Sequence, residues 1–312
     1  MAKFIFVQRL TRTDIINYST IATIGFFDGV HLGHCFLLNE LKTLAQNKAQ
    51  QSLVVTFENH PQHYFSGSNT FKLLTSSEEK LTQFEYLGLD ACLALTFNEA
   101  IASMRSSDFL SFLHQNFGVT TLLVGYDHRF GSDIYSSFND YKLMGEKIGV
   151  ELVQCSSILS DNLAISSSKI RYFLSEGFLD AANQFLGYHY RLSGLVSQGN
   201  QVGRKIGFPT ANLLISNEKM IPKDGVYAVR LAYQEKTYLG MLNIGNRPTI
   251  QGDNRTIEVH IFDFNENIYG KELSLELVAR VRDEVRYDSL EALKIQLHKD
   301  KIAVLELLKR YQ

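Results

Sequence analysis

Two histidines three residues apart, His31 and His34, stand in segment 25–34, GFFDGVHLGH. At a helix start this spacing puts both rings on one face. Imidazoles placed there can donate hydrogen bonds to a phosphate that gains charge during displacement. Such a transfer needs no nucleophilic side chain, because positioning and electrostatics suffice. Gly25 and Gly29 allow a tight turn and a close backbone approach to a ligand. A helix opening near Gly33 aims free N–H groups at an anion. Metal binding by the pair is the weaker reading, since no third ligand with matching spacing lies nearby. A pair that merely caps and packs is the other reading; a strand before the pair and a helix after it argue for function. Further along, Ser166, Ser167, Ser168, Lys169, Ile170 and Arg171 read as the hydroxyl-rich opening of a helix running to about Glu176. Serine hydroxyls, helix N–H groups and Arg171 suit the leaving phosphates of a nucleoside triphosphate, with a plain serine N-cap as the alternative.

A second group lies in 199–213, GNQVGRKIGFPTANL. It is not a P-loop: the glycine spacing is one residue short, Arg204 precedes Lys205, and no Ser or Thr follows the lysine. Pro209 also disallows an immediate helix of the P-loop kind. The run reads instead as a glycine-rich flap, with Gly199, Gly203 and Gly207, that covers phosphates by backbone contact. Thr210 and Asn212 share a face of an extended segment, and their oxygens suit Mg²⁺ bound together with phosphate. Glu258, in RTIEVHIFDF, alternates with Ile257 and Val259 on a strand. A carboxylate placed near a metal-bound phosphate can take the proton of an attacking alcohol; an exposed strand glutamate is the alternative.

Several elements must position these groups. Apolar runs at 21–27, 52–57, 91–97, 120–125 and 150–155 predict strands of a parallel sheet buried on both faces. Helical patterns lie between them, at 34–47 and after the Ser76–Glu79 capping box. Strand–helix alternation predicts a doubly wound α/β domain. From Tyr190 to Arg282 the pattern is strand, turn, strand without helical periodicity, which predicts a small antiparallel barrel. A terminal helix follows, with Asp288 as N-cap and Glu291 completing a capping box. The domain boundary is expected near Gly187, giving domains 1–187 and 188–312.

Composition excludes several classes. The chain has 312 residues, enough for two cores, and a formal net charge of -2, which supplies no basic tail for nucleic acid and no polybasic membrane patch. Cys35, Cys92 and Cys155 are far apart and show no CxxC spacing, so neither a disulfide framework nor a zinc site is expected. No apolar run is long enough for a membrane span and no leader pattern opens the sequence, so the expected location is the cytoplasm.

These motifs together resemble one family. HxGH with Ser166–Arg171 is similar to the signature of the nucleotidyltransferase superfamily. Over nearly its whole length the chain resembles bacterial bifunctional riboflavin kinase/FMN adenylyltransferases, through residues 25–34, 56–61, 125–131 and 166–171 in the first module. In the second module the matching stretches are 203–212, 224–227, 243–249 and 258–260. The resemblance implies that the enzyme phosphorylates riboflavin to FMN and adenylylates FMN to FAD, using ATP and Mg²⁺ and releasing ADP and pyrophosphate. It places Gly25, Phe26, Phe27, Asp28, Gly33, Asp127, Ser166, Ser167, Ser168 and Arg171 at the ATP of adenylyl transfer, with His31 and His34 stabilising the transition state. Asn59, His60 and Pro61 would lie near the flavin. In the kinase module, Gly199, Gly203, Arg204, Lys205, Gly207, Pro209 and Thr210 would hold ATP. Thr210 and Asn212 would ligate Mg²⁺, and Glu258 would be the base. The sequence departs from the family's usual residues at Asn59 (Pro), Cys35 (Gln), Ser168 (Thr) and His128 (Phe). The rival readings are a kinase with a weakened adenylyltransferase, another HxGH enzyme such as a cytidylyltransferase, and a non-catalytic flavin-binding regulator. GFPTAN argues against the second, and the presence of Glu258, His31 and His34 against the third.

Overall fold

Short apolar runs become the six strands of one sheet in the computed structural model, which describes residues 8–10, 18–66, 71–125, 130–133, 137–155, 165–198, 202–249 and 252–310. In chain order the elements are β1 (Gln8–Leu10), β2 (Thr20–Ile24), α1 (Leu32–Asn47), β3 (Gln51–Phe57), α2 (Pro61–Ser66), α3 (Ser77–Leu87), β4 (Ala91–Leu95), α4 (Glu99–Ala102), α5 (Ser106–Phe117), β5 (Val119–Val124), α6 (Phe138–Ile148) and β6 (Glu151–Gln154). The strand order is β1-β4-β3-β2-β5-β6, and every pairing is parallel. Alternate residues serve opposite faces: Ala22, Ile24 and Leu53 pack with Phe109 and Leu113 of α5, while Ile21 and Val54 pack with Leu38 and Leu41 of α1 and Phe84 of α3. Burial on both faces explains the continuous apolar runs. The order reverses at β2, which has β3 on one side and β5 on the other. The turn from β2 into α1 therefore sits at the switch point, where open α/β sheets form their ligand crevice.

Contacts divide the chain into two compact units, Met1–Ile165 and Ser166–Gln312. The second contains α7 (Ser167–Glu176), α8 (Leu179–Leu186), β7 (Tyr190–Ser197), α9 (Val202–Lys205), β8 (Ala211–Leu214), β9 (Gly225–Tyr233), β10 (Lys236–Thr249), β11 (Gly252–Ile261), β12 (Glu272–Arg282) and α10 (Leu290–Arg310). This division falls ahead of Gly187 because α7 packs on α8, and α8 packs on β7 and β12. The six strands close a barrel in the order β10-β11-β8-β7-β12-β9, each pair antiparallel. Tyr227, Leu242 and Val259 are cross-strand neighbours and fully buried. On the other face of the same strands, Val226, Ala228 and Met241 pack with Val304 and Leu308 of α10.

One local expectation is corrected. The cap of α10 is Ser289, whose Oγ accepts from Ala292 N at 3.2 Å; Asp288 lies one residue too early. In the glycine-rich segment, residues 202–205 wind into the single turn of α9 ahead of Pro209.

Candidate active sites

The first site is built on the β2–α1 turn. His31 caps α1: its backbone is extended, and its Nδ1 accepts from His34 N at 3.2 Å. An accepting Nδ1 carries no proton, which leaves the ring hydrogen on Nε2. The two imidazoles stack with centroids 3.6 Å apart and planes 13° apart. Burial, then the neighbouring His31, then Lys80 hold the His34 pKa well below its ordinary value, so this ring is neutral at physiological pH. Its Nδ1 is buried without a hydrogen-bond partner among the described residues. Gly25 is required by packing, since a Cβ there would lie 2.8 Å from the Phe27 ring. Asp28 is buried and anchors the turn: its carboxylate accepts from Leu74 N at 2.9 Å and Thr75 N at 3.1 Å. Gly33 sits at the helix opening beside the His31 ring.

Beside this turn, at the carboxyl ends of β3 and β4, lies an aromatic shelf. His60 meets Phe26 edge-on at 4.3 Å and Phe71 at 4.2 Å. Phe97 contacts Phe57 at 5.4 Å and Tyr64 at 5.7 Å. Asn59 holds this shelf through its amide, donating to Phe97 O at 2.9 Å and accepting from Phe97 N at 2.7 Å. Pro61 begins α2, where its missing N–H costs nothing. A flat ring system finds stacking partners here. Asp127 lies outside the described residues, as does His128. Ser166 caps α7 by accepting from Lys169 N at 3.3 Å, so Ser166, Ser167, Ser168 and Arg171 gather at one helix start in the second unit.

The second site lies on the barrel wall. Cross-strand pairing sets Asn243, Glu258, Asn212 and Ser197 in one row across β10, β11, β8 and β7, and paired residues point to the same face. Thr210 donates through its Oγ to Glu258 Oε2 at 3.1 Å. The structure thus gathers the three sequence-predicted residues, and register adds Asn243. The Pro209 carbonyl accepts from His260 Nδ1 at 2.7 Å, fixing the chain just before Thr210. Gly203 closes the preceding turn: its carbonyl accepts from Phe208 N at 2.8 Å and Ile206 N at 3.1 Å, and a Cβ would lie 2.1 Å from Phe208 O. Gly207 takes a φ of 85°. Arg204 and Lys205 are exposed at the end of α9; Gly199 lies outside the described residues. A cavity of about 650 Å³ opens beside Thr210 and Glu258, bounded by Phe208, His260, Tyr287 and Leu293. That volume is ordinary for a small-molecule pocket. Its far wall hangs on an ion pair with a buried carboxylate: the half-buried Arg282 donates through Nε and a terminal nitrogen to Asp300 at 2.9 and 2.7 Å.

An α/β sheet with a histidine pair at its switch point, joined to a barrel bearing a hydroxyl–carboxylate pair beside a pocket, defines a two-module phosphate-transferring enzyme. Residues 14–169 match the family model described as FAD synthetase, and residues 186–308 the one described as riboflavin kinase. The bifunctional riboflavin kinase/FMN adenylyltransferase of Listeria monocytogenes is 35% identical, covering 93% of this chain and 93% of its own. That of Escherichia coli K12 is 34% identical, covering 92% of each. A solved structure titled as a macrolide-efflux protein from Streptococcus pneumoniae superposes with a TM-score of 0.85 at 28% identity, covering 96% of this chain and 99% of that one. Among the described residues no helix is long and apolar enough to cross a membrane. The chain belongs to the bifunctional riboflavin kinase/FMN adenylyltransferase family.

Proposed function

We propose that the barrel site of residues 188–312 phosphorylates riboflavin and that the site in residues 1–187 joins the resulting FMN to AMP. The observation that carries the first assignment is the Thr210–Glu258 hydrogen bond in the wall of the cavity. Glu258 takes the proton of the ribityl 5′-hydroxyl as its oxygen attacks the γ-phosphorus of ATP; the bond to ADP breaks and FMN forms. Thr210 keeps the carboxylate oriented. The oxygens of Thr210 and Asn212 fit Mg²⁺, a hard cation that prefers oxygen donors and shares phosphate oxygens. When bound, the ion supplies charge neutralisation on the transferring phosphates. Gly199, Gly203, Arg204, Lys205 and Gly207 line the chain that would lie over the nucleotide.

In the first module the FMN phosphate attacks the α-phosphorus of ATP and pyrophosphate leaves. The Nε2–H of His31 and the neutral His34 ring donate to the oxygens that gain charge, while the backbone of Gly25–Asp28 and the start of α1 at Gly33 approach the nucleotide. The family resemblance assigns nucleotide-holding roles to Asp127 and, in the second unit, to Ser166, Ser167, Ser168 and Arg171. The shelf around Asn59, His60 and Pro61 takes the isoalloxazine ring. A reducing compartment, the cytoplasm, suits the free thiols of Cys35, Cys92 and Cys155.

A pair of variants tests the assignment. Glu258→Gln removes the base and should lower FMN formation by about 10²-fold or more, leaving FMN-to-FAD conversion intact. His31→Asn keeps a capping oxygen but loses the Nε2–H donor, and should do the reverse. Equal losses in both reactions for either variant would overturn the two-site assignment.

A further inference from the structure

Lys80 opens α3 just behind its capping box, where a helix disfavours positive charge. It is nevertheless only 3% exposed. An ammonium has three N–H donors, and here they reach Phe26 O at 2.8 Å, Phe57 O at 3.2 Å and Thr56 Oγ1 at 3.3 Å. One cation thus ties α3 to the β2–α1 turn and to the end of β3. The Phe26 ring lies over the same nitrogen at 4.0 Å. The next residue, Phe27, holds a φ of 55°, a left-handed conformation that bulky side chains rarely adopt. Its ring meets His34 edge-on at 5.3 Å. The titratable groups facing Lys80 are Asp28 from the turn, Cys92 from β4 and His34 from α1. Glu58 shares a small cavity with it but accepts from Thr96 at 3.0 Å.

We infer that Lys80 is a positioning residue for adenylyl transfer: its buried ammonium clamps the strained Phe26–Phe27 turn and, through the Phe27 ring, sets the orientation of His34. The inference rests on the assignment of His31 and His34 to that reaction. Its charge also acts on His34, adding to burial and to His31 in keeping that ring neutral. Burial lowers the Lys80 pKa to about 8 against the opposing pull of Asp28 and Cys92. The clamp is therefore charged well below that pH and loses its proton, and one of its three donors, as pH rises through it.

The test uses the full chain with Lys80→Met and Lys80→Arg, following FMN to FAD and riboflavin to FMN in the same preparations. Lys80→Met should lower kcat for FAD formation about tenfold or more and leave FMN formation unchanged. In the same variant the His34 ring should titrate at a higher pH by NMR, because a neighbouring positive charge has gone. In wild-type protein FAD formation should fall on the alkaline side with a midpoint of about 8; Lys80→Arg, which stays charged, should remove that limb. Retention of FAD formation within about threefold in Lys80→Met, equal loss of both reactions, or an alkaline limb persisting in Lys80→Arg would overturn the inference. Should Lys80→Met not fold, the pH profile of Lys80→Arg decides. An active Lys80→Met beside an inactive His31→Asn overturns this inference alone, whereas an active His31→Asn overturns the site assignment beneath it.

Discussion

Replacing Gly203 by alanine tests with one methyl group whether the 203–208 turn sets the geometry of the kinase site. The new Cβ would lie 2.1 Å from the Phe208 carbonyl oxygen and 3.7 Å from Thr210 Cγ2. An ordinary contact needs more than 1 Å of extra room, so the 203–208 turn must open and carry Pro209 and Thr210 with it. Two bonds hang on that stretch, Thr210 to Glu258 at 3.1 Å and His260 to Pro209 at 2.7 Å. A displacement of about 1 Å in a reacting constellation costs about 100-fold in rate. Losing the turn's backbone bonds costs only about 1 kcal/mol of stability each, so the barrel should remain folded. Gly207→Ala is the control: its φ of 85° brings strain, but nothing lies within 4 Å of the added Cβ, and FMN formation should stay within about tenfold of wild type. Chromatographic rates of riboflavin to FMN, alongside FMN to FAD and a thermal melt, give the readout. A Gly203→Ala protein that is folded and phosphorylates riboflavin within about threefold of wild type would show that the 203–208 turn does not position Thr210 for the reaction.

Asp300→Asn leaves Arg282 without its buried carboxylate and should cost the barrel unit about 3 kcal/mol in urea unfolding; a loss under about 1 kcal/mol would show that the pair is not what holds α10. Asn59→Ala breaks both bonds to the Phe97 backbone and should raise the KM for FMN about tenfold without affecting FMN formation, which steady-state FAD synthesis measures. Burial, followed by the hydrogen bond and charge of Glu40, pushes the Cys155 thiol up to about 12. In native protein near pH 8 it should be alkylated about a thousand times more slowly than in urea, by peptide mass mapping; equal rates would contradict the buried thiol.

The sheet was legible because strands covered on both faces must be apolar throughout, and that leaves an unbroken signal at residues such as 52–57. The capping box at Ser76 was legible because its logic is wholly local. Asp288 and Ser289 show where such logic loses precision: both residue types cap well, and only the path of the chain selects the second. Lys80 left no trace, since a lysine on a helix beside two glutamates reads as a solvated face, and its three acceptors come from residues 23, 24 and 54 positions away. The same holds for the Asn59–Phe97 clamp, 38 residues apart in sequence, and for Asn243, which joins Glu258 only through strand register. That His31 caps through Nδ1, and so which nitrogen keeps its hydrogen, follows from geometry alone.

The packing of α10 on the barrel also bears on how the protein is made. Val226, Ala228 and Met241 emerge from the ribosome long before Val304 and Leu308, which cover them. Until that helix is synthesised, the nascent barrel presents an apolar strip to water and to other chains, a state in which growing polypeptides aggregate. Only when Val304 and Leu308 dock does α10 take that strip out of water.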